Sequence, residues 1–142
     1  MVVVFAFAST SGTLAPSTSA ASSMKVTEHV VLKLVKRSGT TKFEHKGRAT
    51  GTVSGSVRSS TTLTHSVVLR GTVTINTSRG ELRLKVDGRA RSLELRARFS
   101  GTATIAGGTG RYAHARGTGT FIGVVNRSTW AATIDSSGSF SY

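Results

Sequence analysis

From Met24 to the C-terminus, apolar side chains recur on every second residue in one segment after another. A period of two is the signature of a strand with one buried face, and it constrains this chain more than any other feature does. It is clearest between Phe99 and Val125, FSGTATIAGGTGRYAHARGTGTFIGVV, where two alternating segments meet at a glycine-broken pivot. In an antiparallel pair, opposed residues share a face and their numbers add to a constant. Each connection must therefore carry the apolar set back onto the same side.

That condition can be followed along the chain. A first segment places Val26, Val30, Leu32 and Leu34 on even positions, and a connection over Ser38–Thr41 leads to Phe43, Ala49, Gly51, Val53 and Val57 on odd ones. A loop at Arg58-Ser59-Ser60 leads on to Leu63, Val67, Leu69, Gly71, Val73 and Ile75, still odd. Thr77–Gly80 then switches the face to Leu82, Leu84 and Val86. Asp87-Gly88 is a strong tight-turn dipeptide, and after it Leu93, Leu95, Ala97, Phe99, Ala103 and Ile105 point inward while Glu94, Arg96 and Arg98 point outward. The pivot delivers Gly117, Gly119, Phe121, Gly123 and Val125, and Asn126–Thr129 delivers Trp130, Ala132, Ile134 and Phe140. All connections agree on one buried face. Seven strands are visible, two of them long enough to bend or to split into an eighth. A flat sheet would leave a long unpaired edge that closure removes. The pattern predicts an all-β chain forming a single antiparallel up-and-down β-barrel of about 7–8 strands.

Composition agrees. Sixteen glycines against one proline suit a tightly curved sheet better than a helical bundle. The absence of cysteine excludes disulfides and thiolate metal sites. Residues 1–23 read as a leader, either a truncated secretory signal or a disordered tail. Val2–Ala8 is an apolar run too short to span a bilayer, and Thr18-Ser19-Ala20 suits a signal peptidase, although no basic residue precedes the run. The barrel domain is then 24–142. The leader implies a secreted, extracellular or cell-wall protein of bacterial type, with no transmembrane segment.

Around the pivot, Gly107-Gly108-Thr109-Gly110-Arg111-Tyr112 followed by Ala115-Arg116-Gly117 resembles the GGTGKF…ARG turn of plant dirigent proteins and the GG(S/T)G segment of allene oxide cyclases. The resemblance covers about a tenth of the chain. It implies a small antiparallel barrel with an apolar lumen, a small apolar or amphipathic ligand and a homo-oligomer, since the plant barrels are trimers. The chain shows no counterpart of those families' lumen acids, so the resemblance carries the fold and not an activity. If there is one, it is cyclase- or isomerase-like. The same glycines suit a phosphate cradle only with a long helix behind them, and the chain returns to a strand pattern by Gly117. Tyr112 becomes a plug over one barrel end.

Parity also selects the polar residues that face inward: Glu28, His45 and His65, with Arg89 and Arg91 at the mouth beside the Asp87-Gly88 turn. Glu28 opposes Gly51, and the expected loops place His65 opposite Val53. An acid and an imidazole at one level, with space between them, form the weak catalytic candidates Glu28 and His65. The expected ligand lumen is lined by Glu28, His45, His65, Phe99, Phe121 and Trp130. No HxH or HExxH spacing, G-x-S-x-G elbow or facing pair of acids supports a metal, a nucleophilic hydrolase or a glycosidase, and no cofactor is implied.

Outside, a formal charge of +13 attracts polyanions. Arg70, Arg83, Lys85, Arg96 and Arg98 share the outward parity and form the alternative site, for nucleic acid or an anionic wall polymer. The two functional classes are thus a lumen that holds a small molecule and a cationic exterior.

Overall fold

The computed structural model describes residues 23–142. The leader expectation therefore falls almost entirely outside the described residues. Eight strands follow in order: β1 (Met24–Ser38), β2 (Lys42–Gly51), β3 (Gly55–Thr64), β4 (Val68–Thr77), β5 (Gly80–Ala90), β6 (Arg96–Gly108), β7 (Arg116–Asn126) and β8 (Ala132–Ser141). Each pairs antiparallel with its neighbours in sequence, and β8 returns to pair with β1, so the sheet is a closed up-and-down barrel. Among the described residues no helix is long and apolar enough to cross a membrane.

The expected inward face is the observed one. Leu32, Ala49, Val57, Ile75, Leu82, Phe121, Ala132 and Phe140 are buried, while the alternate positions along the same strands are exposed. Three connections lie elsewhere than expected. Arg58-Ser59-Ser60 is not a loop but the middle of β3, where each residue pairs with both β2 and β4. The real turns flank it at 52–54 and 65–67, which splits the two long segments into three strands. Asp87-Gly88 is likewise inside β5, pairing with Arg70 and Leu69 on one side and Thr102 and Gly101 on the other. The β5–β6 connection comes later, at 91–95, and Leu93 and Leu95 are exposed (55% and 64%) rather than buried. A dipeptide with strong turn preference yields here to two complete ladders of backbone hydrogen bonds.

β1 carries a bulge. The register steps between Leu34 and Lys36, leaving Val35 unpaired, and Arg37 then stands opposite Phe43. One extra residue reverses the faces, so Arg37 joins the inward set that was even before the bulge.

Glycine earns its place where rings need floor space. A Cβ on Gly123 would run into the Phe99 ring, and one on Gly88 would meet the Phe121 ring at 3.0 Å. Phe99 and Phe121 themselves meet edge to face with centroids 6.0 Å apart. Gly123→Ala is expected to displace the Phe99 ring and lower unfolding stability by about 1–3 kcal/mol, the usual cost of overpacking. Urea unfolding compared with wild type checks this.

Candidate functional site: an apolar lumen with one buried carboxyl

The ends of the barrel differ. At one end the turns 52–54, 78–79 and the β6–β7 connection converge. There Val53, Leu82, Tyr112, Ala115 and Phe140 are all buried and belong to one apolar cluster. Tyr112 sits on a single 3-10 turn, Gly110–Tyr112, with its ring beside those of Phe140 and Tyr142. It is buried at this end of the barrel. The other end, where the turns 39–41, 65–67, 91–95 and 127–131 gather, is wet: Arg37, Thr40, Ser66, Leu93 and Arg127 border its cavity, and all are exposed.

Between these ends the lumen is hollow in two compartments that share a wall. The deeper, of about 150 Å³, is walled by apolar side chains including Val26, Val57, Leu84, Phe99 and Phe121. The outer, of about 330 Å³, is bounded by Phe43, His45, Leu63, Phe99 and Trp130. Leu32, Ser59, Thr61, Leu69, Phe99 and Ile134 line both and form the waist.

Glu28 is the only carboxylate in this lining, and β1 places it there by parity. Its cross-strand neighbours are Gly51 and Ser136, as small as neighbours can be. It is buried; Oε1 accepts a hydrogen bond from the Val53 N–H, while Oε2 has no partner. Loss of hydration raises its pKa to about 7, against the smaller lowering effect of the Val53 bond. Near neutral pH the carboxyl is thus divided between an acceptor and a donor form. Ser59, also buried, has an Oγ without a partner.

His45 holds the opposite end. Its Nε2–H donates to the Trp130 carbonyl at 2.8 Å, and burial lowers its pKa, so the ring is neutral. Its ring stacks with Phe43, whose own ring meets Trp130 at 4.5 Å between centroids. Trp130 reaches this position with φ of 60°, a left-handed conformation unusual for a bulky residue. The Arg37 guanidinium lies 5.2 Å from the Trp130 ring and 5.5 Å from Phe43, so a cation over two aromatic faces forms part of the rim. Arg37 was not foreseen as a site residue, because its inward placement depends on the bulge.

The structure therefore brings Glu28, His45, Phe99, Phe121 and Trp130 to the lumen. His65 is not there. It is exposed in the β3–β4 turn with φ of 51°, at the opposite end of β3 from the Glu28 level, so no Glu28–His65 pair exists. The true turn at 52–54 accounts for this, since Val53 lies beside Glu28 and has no strand partner to place His65 opposite it. Arg89 and Arg91 do not line the mouth either. Arg89 is exposed on β5, whose inward residues are even, and Arg91 hydrogen-bonds the Ser100 hydroxyl at 2.7 Å. The expected outer stripe is divided too. Arg70 is held by Asp87 at 3.1 Å and Arg83 faces Glu81 at 3.6 Å. Lys85 pairs with Thr104, whereas Arg96 and Arg98 begin β6 beside Asn126 and Val124, about 20 Å away at 3.3 Å per residue. No group of three His, Asp or Glu gathers among the described residues.

The fold and site define a closed eight-stranded barrel with an apolar lumen and one titrating carboxyl in its lining. No family model matches this chain, and no curated protein or solved structure matches it either.

The Glu28 carboxyl has a definite signature in stability. Its folded pKa of about 7 lies above the ordinary value of 4.5, so between these the folded state holds the extra proton. Stability contributed by that proton is full below pH 4.5 and declines as pH rises toward and through 7. His45, with a lowered pKa, tilts the curve the other way below its ordinary 6.5. Glu28→Gln keeps the oxygen that accepts from Val53 and removes the titration. The stability difference between variant and wild type should therefore grow by about 2–3 kcal/mol between pH 4.5 and 8 in favour of the variant. Denaturant midpoints across pH measure it.

Proposed function

We propose that this protein binds one small apolar or amphipathic molecule in its lumen, with a hydrogen-bonding group of that molecule meeting Glu28. The observation that carries the reading is the unpartnered, buried Oε2 of Glu28 inside an otherwise apolar cavity. A buried polar atom left without a partner costs about 1–3 kcal/mol, and a ligand hydroxyl or carbonyl would supply the missing bond. A carboxyl near half protonation serves either as donor or as acceptor. The rim of Phe43, Trp130 and Arg37 gives the molecule its way in. An eight-stranded barrel is also about the size that encloses a single small ligand.

Binding is favoured over catalysis because Glu28 stands without a second titrating group in its compartment. Its former partner His65 is at the other end and exposed, and His45 belongs to the outer compartment. The likeness of the GGTGRY turn to dirigent proteins and allene oxide cyclases supports the same lumen-centred reading, and an exported homo-oligomer would accord with it.

Trp130 is the chain's only tryptophan and stands at the rim, so its emission reports entrance directly. Titration with 1-octanol should give a saturable change in that emission, and octane of equal length should bind roughly tenfold more weakly, the equivalent of one satisfied buried hydrogen bond. In Glu28→Leu the two should bind alike. Absence of saturable binding by either molecule, or an octanol preference that survives Glu28→Leu, would overturn the proposal. Ser59→Phe, which fills the waist, should block the deep compartment while leaving the fold intact by circular dichroism.

A further inference from the structure

The chain has six acidic side chains, and their positions leave one face of the barrel with little compensating charge. Glu28 is in the lumen, and Glu94 is in the β5–β6 connection. Asp135 holds His29, Asp87 holds Arg70 and Glu81 faces Arg83. Only Glu44 stands on the outer face of β1, β2 and β3. Residues 1–22 contain no Asp or Glu that could reach this face.

That outer face carries Lys33, Lys46, Arg48 and Arg58, all exposed. The register aligns three of them directly: Lys33 is opposite Lys46, and Lys46 is opposite Arg58. Beyond Arg58 the same row passes through Thr74 to Arg83. Adjacent strands lie about 4.8 Å apart, so the three cations form a band across the strands, with Arg48 beside it. Among the described residues none of these four lies within 4.0 Å of a carboxylate oxygen. Like charges placed directly opposite one another are destabilising. Glu44, two residues along β2 from Lys46 and opposite Lys36, is the one acid near the row and contacts none of its members, whereas a row of phosphates would meet them all. Arg58 had been expected in a loop, so the alignment becomes visible only with the true course of β3.

We propose that the outer face of β1–β3 binds the phosphate backbone of double-stranded nucleic acid, independently of the lumen and without reading sequence. Charge complementarity identifies the partner as a polyanion. The lack of any Phe, Tyr or Trp at outward positions of β1–β3 points to a duplex. Unpaired bases gain affinity by stacking on aromatic platforms; Phe43 faces the lumen, and the one outward ring, that of His29, is held by Asp135. A duplex has its bases stacked already and offers two phosphate strands. Ser56 and Ser60, exposed on either side of Arg58, add hydroxyl donors of the kind that contact phosphate oxygens. Among the described residues no helix or long loop projects from this face to enter a groove, so these strands leave base edges unread.

The test is binding of a random-sequence DNA duplex by fluorescence anisotropy from 50 to 200 mM salt. Wild type should bind at 50 mM, and log affinity should fall steeply with log salt. The triple variant Lys33→Gln, Lys46→Gln, Arg58→Gln should bind roughly tenfold or more weakly at 50 mM, with a salt slope shallower by about 2–3, since each lost phosphate contact removes about 0.9. A control triple, Arg79→Gln, Arg96→Gln, Arg116→Gln, removes the same charge from other parts of the barrel and should change the slope by less than 1. The row variant should melt no lower than wild type, because opposed like charges have been removed. Should it fail to fold, Lys46→Gln alone, central in the row, should still reduce the slope by about 0.9. Equal losses in both triples would show that net charge alone governs binding. That result would overturn the proposal, as would a single strand bound more tightly than the duplex, or heparin binding with no duplex binding at 50 mM.

Discussion

The pairing of β8 with β1 is the interaction on which the rest of this structure depends. β1 is long, and over Glu28–Leu32 it is hydrogen-bonded on both sides, to β2 and to β8. Without that last ladder the sheet would have two free edges and its apolar face would be open to water. With it, eight inward faces converge and exclude solvent. Glu28 sits in the doubly paired stretch, so its carboxyl cannot swing out with a fraying edge. Burial, raised pKa and the unpartnered Oε2 are consequences of closure as much as of the residue itself.

Closure also divides the molecule's chemistry in two. Inside, small residues such as Gly88, Gly123 and Ser136 leave room for rings and for the single acid. Outside, almost all the charge is collected, and the pleat keeps the two sets apart residue by residue. One strand can therefore serve both sides: β1 sends Glu28 into the lumen and Lys33 to the outer row. The lumen reading and the surface reading draw on different residues of the same strands, and neither requires the other.

The sequence made the fold legible because parity is a strong constraint, yet parity has a blind spot that explains what was missed. A hairpin whose paired numbers add to an even sum returns odd residues to odd positions. The turns at 52–54 and 65–67 are both of this kind, with Ala49 opposite Gly55 and Val57 opposite Ile75. One such turn at 58–60 satisfies the same test as these two, so the inward set came out right while the partners came out wrong. Glu28 opposite Gly51 came out right because two departures cancel: the turn is one residue shorter than expected, with Ser38 paired to Lys42, and the bulge at Val35 restores the register. His65, Arg58 and the cross-strand row did not, since each depends on where β3 begins and ends. The Asp87-Gly88 error has another source: local turn preference was overruled by pairing on both sides. Arg37 was hidden by a bulge that has no marker in the sequence.

That bulge has an evolutionary side. Val35 is the one residue without a cross-strand partner near the end of β1, and the positions after it are set by their own pairing with β2. Loss of that one codon would remove the bulge and leave a regular ladder, with Lys36 still opposite Glu44 and Arg37 still opposite Phe43, while every strand further along kept its place. The Arg37 doorway thus tolerates the loss of its bulge residue, whereas the far end, built from residues on four separate segments, can change only by many coordinated steps.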